Sequence, residues 1–85
     1  MLFRILTENI NQPGIENKVN GFFDGYTILK ADGYWKTARE KSIIIEIIAE
    51  PEARKKVFKL AQEIKRLNNQ QSVLVQEFGL NSSFV

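Results

Sequence analysis

The chain has 85 residues, 44% of them hydrophobic and 26% charged, which is typical of one globular domain rather than a disordered segment. Cysteine and histidine are both absent, which excludes disulfides, Cys or His nucleophiles and Cys/His metal sites, and no cofactor is predicted. The net charge of +2 is too weak to indicate nucleic-acid binding, and no apolar run is long enough to cross a membrane. We therefore expect a cytoplasmic protein with a single domain over residues 1–85, of which 79–85 form a C-terminal tail.

The first half of the chain predicts two strands and a short helix. Residues 2–8 are compatible with a strand and are followed by a polar cluster. Pro13 suits the first turn of a helix over residues 13–23, in which Ile15 and Val19 recur at helical spacing. Residues 26–35 predict the second strand, with Gly33 marking a bulge or a bend. Residues 36–40 are predicted to be a polar connection.

The second half of the chain predicts a strand, a long helix and a last strand. Residues 42–48 are rich in isoleucine, the acidic segment around Pro51 begins a helix that ends near Asn68, and residues 72–78 form the fourth strand. The order β-α-β-β-α-β favours an α+β fold, the ferredoxin-like sandwich. We predict an antiparallel sheet of strand order 4-1-3-2 with two helices on one face. Strands one and three are expected to be central and to run parallel to each other.

The sheet face without helices is predicted to be unusually apolar. Alternation along strand three separates Ile43, Ile45 and Ile47 from a second set that contains Glu46. We expect the Glu46 set to lie outside and Arg4 to pair with Glu46. An apolar outer face favours packing against a second copy, so a homo-oligomer is predicted. The predicted interface residues are Leu2, Arg4, Leu6, Ile44, Glu46, Ile48, Leu74 and Phe78.

The segment between strands two and three has the composition of a ligand site. Residues 34–42 contain Tyr34, the only Trp of the chain, three cations and two hydroxyls. Aromatic rings stack on bases, and Lys and Arg bind phosphate, so this segment favours a nucleotide or another anionic ligand. The alternative is that the aromatic residues pack on a neighbouring subunit while the cations remain solvated.

Enzymatic activity is not predicted. Asp24, Asp32, Glu40 and Glu46 are the only carboxylates considered for chemistry, and Asp24 and Asp32 stand beside glycines, as turn residues do. No nucleophile constellation and no glycine-rich phosphate loop is present.

The element order and the position of the 34–42 segment resemble small ferredoxin-like proteins of the PII-like superfamily. Residues 24–29, followed by 33–35 and 40–42, also look like a motif of small uncharacterised bacterial and phage proteins. The resemblance implies binding of nucleotides or metabolites in clefts between subunits. By this analogy the ligand-binding residues are Thr27, Tyr34, Trp35, Lys36, Arg39 and Ser42.

These observations lead to three functional hypotheses. The first is a non-enzymatic oligomeric protein that binds a nucleotide or small anionic metabolite in clefts between subunits, near the segment between strands two and three. A phage protein that sequesters a host signal nucleotide is one form of this hypothesis. The second is an interaction module or inhibitor that docks on a larger bacterial complex. The third is an RNA-binding domain, which is disfavoured because the predicted central strands offer only Phe3 as an aromatic residue.

Overall fold

The computed structural model describes residues 1–79 and 83, with the side chain of Trp35 excepted, and it confirms the predicted order of elements. The predicted C-terminal tail lies outside the described residues apart from 79 and 83. The elements are β1 (Leu2–Glu8), α1 (Gln12–Asn20), β2 (Thr27–Trp35), β3 (Ala38–Ile48), a 3-10 turn (Pro51–Ala53), α2 (Arg54–Leu67) and β4 (Leu74–Phe78).

The four strands form one sheet in the order β2-β3-β1-β4, which confirms the ferredoxin-like arrangement. Every neighbouring pair is antiparallel, including β1 with β3. The expectation that the two central strands run parallel is wrong. The crossover through α1 makes β1 and β2 parallel, and β3 lies between them as the hairpin partner of β2.

The core lies between the sheet and the two helices. Ile43, Ile45 and Ile47 are fully buried, together with Phe3 and Ile5 of β1, as the alternation predicts. Both helices direct their apolar stripes into the same cluster. In the described part of the chain neither helix is long and apolar enough to span a membrane. The helix side of the core is completed by Ile15, Val19, Val57, Leu60, Ala61 and Ile64.

Local sequence signals fix the start of each helix. The Asn11 side chain accepts a hydrogen bond from the backbone N–H of Gly14 at 3.2 Å, which caps α1. A side chain at Gly14 would collide with that cap, since its Cβ would overlap the Asn11 side-chain amide. At the second helix Pro51 begins the 3-10 turn, and α2 continues from Arg54.

The segment between β2 and β3 is a tight hairpin, so the predicted polar connection over 36–40 is wrong. Pairing continues to Trp35 opposite Ala38, and only Lys36 and Thr37 form the turn. Their φ angles are 49° and 66°, as in the primed turns that suit the twist of a hairpin. Gly33 pairs in register with Glu40, so no bulge forms there.

This hairpin extends past the end of β1, where the last pair joins Glu8 to Ser42. Residues 32–35 and 38–41 therefore form a two-stranded ribbon, here called the arm. A left-handed backbone is unfavourable for a β-branched residue such as Thr37, so the turn costs free energy.

We expect Thr37→Gly to raise the free energy of unfolding by roughly 0.5–1 kcal/mol, because glycine removes the strain at positive φ and adds only a smaller entropy cost. Chemical denaturation measures the change. Asn69→Gly is the matched control, because Asn69 has a φ of 51° but asparagine tolerates that conformation. An equal gain in both variants would contradict the explanation.

Candidate functional site

The outer face of the sheet consists of alternating apolar and polar rows that cross the strands. Register places these side chains opposite one another, and helices cover only the other face. Ile48 is 63% exposed in one apolar row and Leu74 is 53% exposed in another, which is unusual for large apolar residues on one face. From one end of the face to the other, the rows are Ile48-Leu2-Phe78, Thr27-Glu46-Arg4-Gln76, Leu29-Ile44-Leu6-Leu74 and Ala31-Ser42-Glu8.

The predicted pairing of Arg4 with Glu46 is confirmed. Arg4 Nε lies 2.7 Å from Glu46 Oε2 across the two central strands. The guanidinium also lies 5.4 Å from the centre of the Phe78 ring. The only oppositely charged pair on this face is thus already satisfied within the described residues.

A cavity of about 350 Å³ opens on the outer face where the sheet narrows into the arm. Its apolar wall comes from β1, β3 and β4, and its polar wall comes from the arm and the segment after α2. The lining residues are Leu6, Thr7, Glu8, Ala31, Asp32, Gly33, Glu40, Ser42, Ile44, Gln70, Ser72 and Leu74.

Two carboxylates, Glu8 and Glu40, face each other in the polar wall. Glu8 is opposite Ser42, and Glu40 lies two positions further along β3 on the same face. A hydrogen bond with the Glu40 carboxyl raises the pKa of Glu8, and burial and repulsion by the Glu40 charge raise this pKa further. The ion pairs within residues 1–79 join Arg4 to Glu46, Arg39 to Asp32 and Arg54 to Glu77, so these three arginines have other carboxylate partners.

Gln70 fixes the floor of the cavity at the end of β1. Its Nε2 donates to Thr7 Oγ1 at 2.6 Å, and its Oε1 accepts from the backbone N–H of Glu8 at 3.3 Å. Asn69 reaches a φ of 51° directly before it, which turns the chain away from α2 and towards β1. Thr7 and the backbone of Glu8 are therefore held in place by a residue more than 60 positions away.

Gly33 keeps the arm side of the cavity open. A Cβ at this position would lie 3.0 Å from Ser42 Oγ and 3.7 Å from the carbonyl oxygen of Glu40. Any larger residue would therefore push against the Ser42 hydroxyl that lines the cavity.

The structure does not bring the predicted ligand-binding residues together. Ser42 lines the cavity, but Thr27 is opposite Glu46, roughly 13 Å further along the sheet. Tyr34 and Arg39 pair with each other on the helix-side face of the arm. Lys36 occupies the turn, and the side chain of Trp35 lies outside the described residues.

The eight predicted interface residues all lie on the outer face, in the rows described above. Their role in self-association stays a prediction. Sequence reasoning missed the meeting of Glu8 with Glu40, because residues 36–40 were not assigned to a strand. Had β3 been extended to Ala38, the alternation from Glu46 through Ser42 would have placed Glu40 on the outer face.

The sequence matches no protein-family model, and no curated protein matches it. A similar fold is present in the solved structure of a phage SAM lyase in its apo state. That lyase is 18% identical, with a TM-score of 0.69 over 87% of this chain and 75% of that chain. At this identity the likeness shows the fold alone, and the resemblance to PII-like proteins stays a prediction.

The expectation that the protein is not an enzyme is corrected by this comparison. That expectation rested on the absence of Cys and His residues and of known catalytic motifs from the sequence. A protein of this fold is a lyase, so neither the fold nor the small size argues against catalysis.

The Glu8–Glu40 pair predicts a specific dependence of stability on pH. A carboxyl group whose pKa is raised by folding contributes stability below its unfolded pKa and loses it as pH rises through the folded pKa. We expect Glu8→Gln to unfold at a higher temperature than the wild type at about pH 7, and the difference to shrink towards about pH 4. Thermal melts at both pH values measure this.

Glu52→Gln is the control for that experiment, because it removes one carboxylate from the exposed 3-10 turn. The same pH-dependent gain in the control, or a gain in Glu8→Gln that is equal at both pH values, would contradict the pairing.

Proposed function

We propose that the outer-face cavity binds a cationic nucleoside of the S-adenosylmethionine class and that the protein cleaves a carbon–sulfur bond in it. The single observation that carries this proposal is the Glu8–Glu40 pair, two carboxylates that meet in the lining of one cavity. The fold shared with a phage SAM lyase supports the choice of sulfonium compound.

The charge of the cavity favours a cation over an anion. Among the described residues, its lining includes Glu8, Glu40 and Asp32 but no Lys or Arg. Arg39 neutralises Asp32 at 2.9 Å, so the two glutamates determine the charge that a ligand meets. The nucleotide hypothesis is therefore modified for this cavity: a nucleoside with a positive sulfonium and ammonium fits it, whereas a phosphate would be repelled.

The other walls suit the remaining parts of such a ligand. Leu6, Ile44 and Leu74 offer apolar surface for a flat base, while the Ser42 and Ser72 hydroxyls can hydrogen-bond to a sugar. A volume of about 350 Å³ lies in the range of pockets that hold small metabolites.

Cleavage requires the carbon–sulfur bond to break with its electron pair moving to sulfur, which becomes a neutral thioether. Glu40 would hold the positive substrate in place. Glu8, with its raised pKa, is the better proton acceptor of the two. It would take a proton from the carbon next to the breaking bond, and the electrons of that carbon–hydrogen bond would form a carbon–carbon double bond as the sulfur leaves. A protein that binds the same ligand without cleaving it would act by sequestration, the second candidate function.

The proposal includes self-association of the chain through the apolar rows of the outer face. The apolar rows adjoin the cavity, and Leu74 belongs both to a row and to the cavity lining. A second copy packed on these rows would cover the open side of the cavity, exclude water and strengthen the attraction between ligand and carboxylates.

We expect the protein to bind S-adenosylmethionine more tightly than neutral S-adenosylhomocysteine, because only the first carries the sulfonium charge. Titration calorimetry measures both affinities. Glu40→Gln should weaken binding of the sulfonium compound by about tenfold or more and leave the neutral analogue nearly unchanged, since loss of a charge-assisted contact costs about 1.5–3 kcal/mol.

Glu52→Gln is again the matched control and should bind like the wild type. Chromatography of the reaction mixture shows whether a thioether nucleoside is released. Equal affinity for the charged and neutral compounds would refute the charge argument, and binding without product would leave sequestration as the function.

Sedimentation tests the oligomer separately. We expect the wild type to sediment as a species larger than the 9.8 kDa monomer and Ile48→Glu to sediment as a monomer, because a charge in the first apolar row is costly to bury. Ile48 does not line the cavity, so its substitution does not touch the ligand site directly. Leu67→Glu, an equally drastic change on α2, is the control and should not alter the mass.

A further inference from the structure

We propose that the helix-side face at the base of the arm is a second binding site, which takes phosphate groups through Lys30, Arg39 and Lys41. Strand alternation places these three side chains on the opposite face of the sheet from Glu8 and Glu40, and Ala31 and Asp32 border both cavities. The proposal does not rest on the function proposed above.

Strand alternation concentrates charge of one sign on this face. Lys30 and Asp32 follow each other on one side of β2, and Arg39 and Lys41 do the same on β3. Lys41 is opposite Asp32, so Lys30 is the diagonal neighbour of Lys41 across the two strands, and Arg39 lies two positions before Lys41 on the same strand. Glu40, the remaining acidic residue of the arm, lies on the outer face instead.

The three cations surround an open cavity of about 240 Å³. Asn9 closes one end of it, since the backbone N–H of Asn9 donates to the carbonyl of Lys41 at 2.9 Å. The helices do not cover this region, because the buried part of β3 begins only at Ile43. All three cationic side chains are exposed, so the cavity is accessible.

One negative charge partly balances the cluster. Asp32 Oδ1 accepts from Arg39 Nε at 3.0 Å and lies 2.9 Å from Arg39 Nη2. This pair holds the guanidinium over the cavity and leaves the two ammonium groups as excess positive charge. Amines and guanidinium in one small cavity are the donors that phosphate oxygens prefer.

Free polyphosphates and nucleic-acid backbones share this chemistry, and Tyr34 distinguishes them. Tyr34 is 70% exposed and is the cross-strand partner of Arg39 on the same face. A base of a single strand would stack on this ring, whereas inorganic polyphosphate has nothing to stack.

The test uses two probes, inorganic tripolyphosphate by calorimetry and a fluorescein-labelled single-stranded oligothymidylate by anisotropy, at about 50 mM salt. Lys30→Gln/Lys41→Gln should weaken binding by about tenfold or more, because each lost phosphate contact also reduces the gain from counterion release. Asp32→Asn should strengthen binding severalfold, because Asp32 is the one acidic side chain among the described residues that line this cavity. Lys55→Gln/Lys59→Gln is the control, with the same loss of charge on the exposed side of α2.

Each outcome bears on the proposal. The proposal is supported if either probe binds more weakly to Lys30→Gln/Lys41→Gln and more tightly to Asp32→Asn than to the wild type. If Tyr34→Ala also weakens binding of the oligonucleotide but not of tripolyphosphate, the phosphate groups belong to a nucleic-acid strand. The proposal is overturned if neither probe binds, if the control pair weakens binding as much as the arm pair, or if the arm pair changes only the oligomeric state. Thermal melts of all variants verify that they are folded.

Discussion

The antiparallel register between β1 and β3 is the constraint on which the rest of this structure depends. It places Phe3 opposite Ile47 and Ile5 opposite Ile45 beneath the helices. The same pairing places Arg4 against Glu46 on the outer face. A shift of one residue would expose the buried isoleucines and bury the ion pair, so the apolar core itself fixes the register.

The same register determines which charged side chains of the arm lie on each face of the sheet. Only β2 and β3 continue past Glu8, and an isolated ribbon has two solvent-accessible faces. Alternation sends Glu40 to one face and Arg39 and Lys41 to the other. One short hairpin therefore borders two cavities of opposite charge. The net charge of the whole chain reveals neither cavity, because its positive and negative residues are nearly equal in number. A cationic ligand on one face and an anionic ligand on the other are compatible, because the sheet separates them.

Because of the strained turn at its tip and the open side of the carboxylate cavity, the arm would gain stability from contacts outside the chain. Two-stranded ribbons are marginally stable alone, and Thr37 adds the cost of a left-handed backbone. Contacts beyond the chain itself, from a ligand or a second copy, would stabilise the arm as they form. Binding and ordering of the arm would then be coupled, which suits a small protein with a thin core.

The sequence alone determined the number, order and type of the elements, the strand order of the sheet and the division of β3 into Ile43, Ile45 and Ile47 against Glu46. These features follow from alternation, helical spacing and local capping, and each of these patterns involves residues that are close together in the sequence. The predicted polar connection over residues 36–40 was wrong for a different reason. Only the tertiary structure decided that residues 38–41 pair with the strand before them. It thereby brought Glu8 within reach of Glu40, because cross-strand register joins residues whose separation along the chain gives no local signal.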